Sequence, residues 1–428
     1  MIARAAYTFL WRVALPFMPL RLWWRGRREP LYRAHVGERF GRYRKEAHAI
    51  ANDVVWIHAV SVGETRAVVP LVERLLAGNA QRTILLTHMT ATGRETGRAL
   101  FGERVVQAWL PYDVPFAVDR FLAHFRPRAG LLVETELWPN LAEAAAKRRI
   151  PLFLINARLS QRSARGYARI ASLARPLLAS LAGIAAQSEE DAHRLRALGA
   201  NDVVVTGNIK FDIDVPSAMK ERARILRERF GTRRPIVALA STRDGEEALL
   251  LDAFSRAALP AHTLVVIVPR HPQRFGDVAA MLTARGWPFV RRSDERGVPI
   301  DVRFVLGDSM GEMHAYYGAC DVAFVGGSLL PLGGQNLIEP IAVGVPTLVG
   351  AHTFNFARAS EAAIAAGAAL RVENADEVFG TASRLLQDPA ERARMRESGE
   401  AFLAAHRGAA DRLWAWLGER IRGLGTGD

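Results

Sequence analysis

Four carboxylates and a lysine in the first half of the chain stand where apolar runs end and turns begin, the places from which side chains can carry out acid–base chemistry. Val54 to Val60 runs into Ser61, Val62, Gly63, Glu64 and Thr65, a turn into a helix with Glu64 at its start. The helix dipole favours the anion there, so Glu64 is available as a general base on a hydroxyl; capping its own helix is the alternative. Gly130 to Val133 runs into ETELWPN, where Glu134 and Glu136 straddle Thr135. Two acids at the exit of a buried strand are costly unless one is paired or put to use. Val203 to Val205 runs into TGNIKFD, presenting Lys210 and Asp212. A lysine there can hold a substrate carboxylate or phosphate, or close a hinge salt bridge.

The second half carries anion-binding patterns. Residues 326–350 read GGSLLPLGGQNLIEPIAVGVPTLVG, a glycine-punctuated turn after the apolar run Asp321 to Val325. Glycines let backbone N–H groups approach an anion, and a helix starting near Asn336 adds unpaired N–H groups and a positive dipole end. Asn336 and Glu339, at i and i+3, share a face, so one can bind phosphate or base while the other accepts ribose hydroxyls. That combination suits a nucleoside monophosphate, with a plain tight turn as the alternative. Thr263 to Val268 runs into Pro269, Arg270, His271 and Pro272, a rigid turn presenting a guanidinium that can grip phosphate bidentately. Gly307 to Met313 opens another helix. Ser241 to Glu247 has the pattern of a capped helix start that can equally bind an anion. His271, His314 and His352 are expected at surface or capping positions rather than as ligands.

These residues need elements to position them, and beyond residue 50 the chain repeats strand, turn, helix. Strands are expected at Val54 to Val60, Thr83 to Thr87, Val105 to Leu110, Gly130 to Val133, Pro151 to Ile155, Gly183 to Ala186 and Val203 to Val205. A second series covers Pro235 to Ala240, Thr263 to Pro269, Pro288 to Arg291, Val302 to Leu306, Asp321 to Val325 and Pro346 to Val349. Near-continuous apolar strands belong to parallel sheets covered on both faces. The rhythm pauses at residues 207–220, an interdomain linker. The expectation is an α/β chain of two doubly wound Rossmann-like domains, 51–210 and 211–428, facing across a cleft with ligands at the carboxyl ends of strands, preceded by a lead-in of residues 1–50. No internal repeat points to a solenoid.

At 428 residues the chain exceeds one ordinary core. Lys and Arg total 57 against 44 Asp and Glu, a net charge of +13, so the partner is anionic: nucleic acid, an acidic lipid surface or a phosphorylated substrate. The single cysteine, Cys320, excludes an internal disulfide and suits a reducing compartment, and no Cys and His spacing resembles a zinc site. Near the N-terminus Tyr7, Phe9, Trp11, Phe17, Trp23 and Trp24 alternate with Arg4, Arg12, Arg21, Arg25, Arg27 and Arg28, and Pro16 and Pro19 interrupt any helix. Its apolar runs fall short of the roughly 20 residues a span needs, and no signal-peptide cleavage pattern follows. A monotopic segment with rings at headgroup level and arginines on phosphates is expected; a helix packed on the protein's own body, or a marginal span with snorkelling arginines, are the alternatives.

Taken in order, RLWWRGR, YRAHVGERFGRY, HAVSVGET, LPYD, ETELWPNL, NARLS, AAQSEEDAHRLRALGA, VTGNIKFD, ASTRDGEE, VPRHPQRF, GDSMGEM, FVGGSLLPLGGQN and GAHTFNF closely resemble the 3-deoxy-D-manno-octulosonic acid (Kdo) transferases of lipopolysaccharide synthesis over almost the whole chain. The resemblance implies the two-Rossmann-domain GT-B architecture, CMP-Kdo as donor, the lipid A precursor lipid IVA as acceptor, and a place on the cytoplasmic face of the inner membrane. It implies Glu64 as catalytic base, Glu134 and Lys210 as stabilisers of the transition state, and CMP binding by Pro269, Arg270, Met310, Gly311, Glu312, Asn336, Leu337, Ile338 and Glu339. Gln335 stands where the family usually has histidine; it can replace a neutral imidazole as a hydrogen-bond partner but carries no charge. A monophosphate donor leaves no diphosphate to chelate, so neither a metal nor another cofactor is required, and direct displacement by a hydroxyl predicts inversion. Two readings compete. A nonhydrolysing sugar-nucleotide epimerase shares the twin-domain fold but needs no aromatic and basic N-terminus. A basic nucleic-acid-binding protein explains the charge, yet the positive residues are spread along the chain rather than clustered.

Overall fold

The computed structural model describes residues 2–27, 29–44, 53–79 and 81–422. Its contacts divide the chain into two units: residues up to Asp212 together with those from Gly408 on, and Ile213–Arg407. The first boundary expected, at residue 50, lies outside the described residues. The second falls inside the expected linker, which itself forms a 3-10 turn, Ile209–Phe211, and the start of the helix Ser217–Phe230.

In the first unit the apolar runs become β1 (Val54–His58), β2 (Thr83–His88), β3 (Val106–Trp109), β4 (Ala129–Val133), β5 (Leu152–Ala157), β6 (Gly183–Ala186) and β7 (Val203–Val205). They pair in parallel in the order β3-β2-β1-β4-β5-β6-β7. Every residue of β1 and β4 is buried because both faces are covered, one by the Trp56 and Phe121 cluster and the other by Ile57, Leu131 and Phe153. Chain order reverses between β1 and β4, so the loops after these two strands flank a crevice at the sheet's carboxyl edge.

The second unit repeats the plan with β8 (Ile236–Thr242), β9 (Leu264–Pro269), β10 (Phe289–Arg291), β11 (Phe304–Leu306), β12 (Val322–Val325), β13 (Thr347–Val349) and β14 (Ala369–Arg371). The order is β10-β11-β9-β8-β12-β13-β14, again all parallel, with the reversal between β8 and β12.

One expectation needs correction. The C-terminal helix Ala409–Arg422, expected in the second domain, belongs to the first unit: Ala409, Leu413, Leu417 and Ile421, spaced four residues apart, bury one face under its sheet. The Asp212 carboxylate caps that return, accepting from Gly408 N at 2.6 Å and Ala410 N at 2.5 Å. At the N-terminus the prolines interrupt the helix as expected, leaving Ile2–Ala14 and Met18–Arg25 joined by a 3-10 turn, Leu15–Phe17. Pro16 and Pro19 sit in first-turn positions, where no intrahelical N–H is missed. One side of this segment docks on the first unit through Thr8 Oγ1 donating to Asn140 Oδ1 (2.9 Å), Trp11 against Tyr112 and the buried Leu22. The other side leaves Phe9, Leu10, Val13, Phe17, Leu20 and Trp24 exposed. No described helix is long and apolar enough to cross a membrane.

Candidate active site

Glu64 makes the helix-start contacts expected of a capping residue. Ser61 caps the helix Val62–Ala67; its Oγ donates to Glu64 Oε1 at 2.9 Å, and Val60 N donates to Oε2 at 2.7 Å. The cap therefore pins a carboxylate that is only 8% exposed at the sheet's switch point. Burial, then the nearby Glu134, push its carboxyl up to about 7, against the pull of the Val60 and Ser61 hydrogen bonds and the Lys210 charge. A base of that affinity is half ionised near neutral pH, where general-base catalysis is most effective.

Glu134 leaves β4 in the left-handed region at φ 65°, which disfavours residues with a Cβ and is retained when surrounding contacts over-determine it. Those contacts are its N–H, donated to Ile155 O at 2.9 Å, and an ion pair with Lys210, both side chains about a fifth exposed. Lys210 arrives from the other end of the unit because Asn156, itself at φ 50° on β5, accepts from Ile209 N with its Oδ1 at 3.1 Å. Glu64, Glu134 and Lys210 are thus brought together, and the Lys210–Glu134 pair lies within the first unit rather than across a hinge. Asn156 was not singled out from the sequence; the signal available was a polar residue near the end of an otherwise apolar strand. The second acid of the motif, Glu136, is pushed up to about 8, by burial first and then by Glu64 and Glu134.

In the second unit the glycine turn follows β12. A Cβ at Gly326 would sit 2.7 Å from Thr242 Cα, and Gly333 and Gly334 adopt φ 95° and 75°, so the loop needs its glycines. Its organiser is Glu246, fully buried, whose carboxylate accepts from Arg243 N (2.9 Å), Gly327 N (2.6 Å) and Leu329 N (3.0 Å). Within Ser241 to Glu247 the N–H of Arg243 is thus spent on an internal carboxylate. Arg270 donates through Nε to Gln335 Oε1 at 3.2 Å, the neutral hydrogen-bond role that glutamine retains. Asn336 Nδ2 donates to Glu339 Oε1 at 3.3 Å, which places the two on one face as their spacing predicts.

Several nucleotide contacts are narrowed. The helix after Asn336 spans only Ile338–Ala342, too short for much macrodipole. Leu337 and Ile338 are fully buried, so only their backbone can face a ligand, and Pro269 is buried without an N–H to give. The Glu312 carboxylate is held by Arg292 Nη2 (3.0 Å) and Arg222 Nε (2.8 Å), leaving Met310, which is exposed, and the Gly311 backbone at φ 82° to meet solvent. His271 is pushed down to about 4 by burial and by the charges of Arg243 and Arg270, so it stays neutral. Among the described residues no group of three or more His, Cys, Asp and Glu is arranged to hold a metal.

Residues 34–213 match the family described as 3-Deoxy-D-manno-octulosonic-acid transferase (kdotransferase), and residues 288–402 match glycosyl transferases group 1. The chain is 47% identical over 436 residues to 3-deoxy-D-manno-octulosonic acid transferase of Bordetella pertussis, covering 97% of this chain and 100% of that one. It is 36% identical over 415 residues to the protein of the same name from Haemophilus influenzae, covering 96% and 97%. Among solved structures it is similar to UDP-GlcNAc 2-epimerase from Neisseria meningitidis bound to UDP-GlcNAc, at 14% identity and a TM-score of 0.56, over 86% of this chain and 100% of that one. Identity that low speaks to the fold alone, two parallel-sheet α/β domains of the GT-B type.

Proposed function

The chain belongs to the 3-deoxy-D-manno-octulosonic acid transferase family and is a glycosyltransferase, and from that premise we propose that it moves Kdo from CMP-Kdo to a hydroxyl of lipid IVA with inversion at the anomeric carbon. The observation that carries the reading is Glu64, a buried carboxylate poised near neutrality beside the Glu134–Lys210 pair at a sheet switch point. Glu64 takes the proton of the attacking hydroxyl, and Lys210 offers a cation to the donor carboxylate. Arg270 stabilises the phosphate as CMP leaves, while Glu339 accepts ribose hydroxyls. Incubating the purified protein with CMP-Kdo and lipid IVA and weighing the lipid is the direct test: a gain of whole Kdo units supports the reading, and unchanged lipid mass rejects it. An epimerase would instead act on a soluble UDP sugar with no acceptor.

Glu339→Ala is expected to weaken CMP binding by roughly 1–3 kcal/mol through lost charge-assisted hydrogen bonds, with the fold kept. Calorimetry showing unchanged affinity would contradict the ribose contact.

The same reading places the protein on the cytoplasmic face of the inner membrane, beside its acceptor. Support comes from the outward face of the N-terminal helices, where Phe9, Phe17, Leu20 and Trp24 are each about two-thirds exposed and Arg12, Arg21 and Arg27 are exposed among them. Arg28 lies outside the described residues. Replacing Phe9, Phe17, Leu20 and Trp24 with Ser should weaken vesicle binding at every salt concentration. Replacing Arg21, Arg25 and Arg27 with Ser should weaken binding to anionic vesicles by on the order of 1 kcal/mol per arginine at low salt and less at high salt. Co-sedimentation equal to wild type for both sets would make the segment a packing element only.

A further inference from the structure

The N-terminal helix Ile2–Ala14 packs with its polarity reversed. Its large apolar residues Phe9, Leu10 and Val13 are exposed, while Arg4, Tyr7, Thr8 and Trp11, spaced at i, i+3, i+4 and i+7, are half-buried and form the stripe that meets the protein. All four meet one place, the first turns of the helix Pro139–Lys147 and the loop that caps it. Thr8 Oγ1 bonds Asn140, Tyr7 faces the Asp113 carboxylate, Trp11 lies on Tyr112 with ring centroids 5.7 Å apart, and Arg4 pairs with Glu143. Asp113 is buried and caps that helix, its carboxylate accepting from Asn140 N at 3.0 Å and Leu141 N at 2.8 Å. The Asn140 amide has one possible orientation. Asp113 O, a carbonyl, can only accept, so the nitrogen 2.7 Å from it is the donor Nδ2, and Oδ1 is left to accept from Thr8 Oγ1 at 2.9 Å.

We propose that Thr8 and Asn140 are positioning residues, through which the N-terminal helix fixes where the helix Pro139–Lys147 begins and so sets the segment Glu134–Trp138 that carries the acids of the site. The proposal rests on the assignment of Glu64 as base with Glu134 and Lys210 beside it. The segment has no regular structure of its own, so its course depends on where it is tied. At one end β4 holds it, with Glu134 N donating to Ile155 O, and next to that Thr135 Oγ1 donates to Arg158 O at 2.5 Å. The other end is Pro139, which Asn140 follows directly. Asp113 already satisfies the N–H groups of Asn140 and Leu141, so the bond from Thr8 is not needed for capping. What it adds is placement, a second point that locates the helix start against the N-terminal helix. Glu134 pairs with Lys210 and acts on Glu64, so a displaced helix start is passed along the segment to all three groups. A misplacement of about 1 Å arising far from the chemistry can lower a rate by about 10²-fold. The same helix carries the exposed apolar side proposed to rest on lipid, so one element serves both the bilayer and the acids.

The test is kcat and KM of the full-length protein with CMP-Kdo and lipid IVA dispersed in detergent, which takes membrane attachment out of the measurement. Thr8→Val keeps the shape of the side chain and removes its donor; it should lower kcat about fivefold to tenfold with KM for CMP-Kdo within about twofold of wild type. Thr8→Ser keeps the hydroxyl and should restore the rate. Asn140→Ala should lower kcat by about tenfold or more, since it releases both Thr8 and the Asp113 carbonyl. Leu10→Ser, on the outward side of the same helix, is the control and should stay within about twofold of wild type. Rates are taken well below each variant's melting midpoint, measured by circular dichroism, where a contact that only stabilises the fold leaves kcat unchanged. Unchanged kcat in Thr8→Val and Asn140→Ala, equal rates for the Val and Ser variants of Thr8, or a loss in Leu10→Ser as large as that in Thr8→Val would each overturn the proposal. High activity in Glu64→Gln would instead overturn the assignment of the base, and the ratio of the Thr8→Ser and Thr8→Val rates would still report on the helix.

Discussion

Glu64→Gln is expected to lower kcat by about 10²- to 10⁴-fold, the usual contribution of a positioned general base, while leaving CMP affinity within about twofold of wild type. The amide keeps the shape of the side chain and can still accept one hydrogen bond from Val60 N or Ser61 Oγ, the two groups that hold the carboxylate now. What it loses is the ability to take a proton. The residues proposed to hold the nucleotide, Arg270, Asn336 and Glu339, belong to the other unit, so binding of CMP provides an internal control for folding. Because Glu64 titrates near 7, the wild-type rate should rise with pH through that value as the base form appears, and the variant should show no such limb. Product mass measured against time checks the rate, and calorimetry with CMP checks the control. Retention of more than about a tenth of wild-type turnover would remove Glu64 from the role.

The fold was legible because parallel strands buried on both faces must be apolar along their whole length, so thirteen of the fourteen strands stand out as runs between turns. The exception, β14 at Ala369–Arg371, follows the alanine-rich helix Ala357–Ala365 with only Ala366, Gly367 and Ala368 between them. Alanine has little strand preference, so no β-branched or aromatic run marks where the helix pattern ends. The C-terminal helix was assigned to the wrong unit for a different reason. Its apolar spacing reveals a buried face but not which sheet covers it, information held in Asp212 and its two long-range hydrogen bonds.

The site divides along the same line. Residue types at strand exits marked Glu64, Glu134, Lys210, Arg270 and the Asn336–Glu339 pair. Which of them touch is set by distances across the sheet edge, over 76 positions of sequence for Lys210 and Glu134. Residues that work by holding others gave weaker signals. Asn156 and Glu246 differ from ordinary strand-end and helix-start residues only in the backbone N–H groups they accept. Among the expected nucleotide residues, Glu312 is held by two arginines, a pairing that an acid before a helix does not announce in the sequence.

Lys210→Met should be nearly as damaging as loss of the base, for a reason that can be separated from folding. Lys210 and Glu134 are each only about a fifth exposed, so removing the cation strands a partly buried carboxylate in a left-handed backbone conformation. With both groups partly solvated, the cost in stability should be about 1–3 kcal/mol, below that of a fully buried pair. The catalytic effect is larger and has two sources. The donor's own carboxylate loses its cation, and Glu64 loses the positive charge that favours its ionised form. With that charge gone, the Glu64 carboxyl must move further above about 7, so the acidic limb of the rate profile should shift to higher pH. The expected loss in kcat/KM at neutral pH is about 10²-fold or more. Adding Glu134→Gln removes the stranded charge, so the double variant Lys210→Met with Glu134→Gln should melt close to wild type. It should remain inactive, because no cation returns to the donor carboxylate. If the double variant regained activity together with stability, Lys210 would be only a counter-ion for Glu134, and the transition-state role would have to pass to another cation.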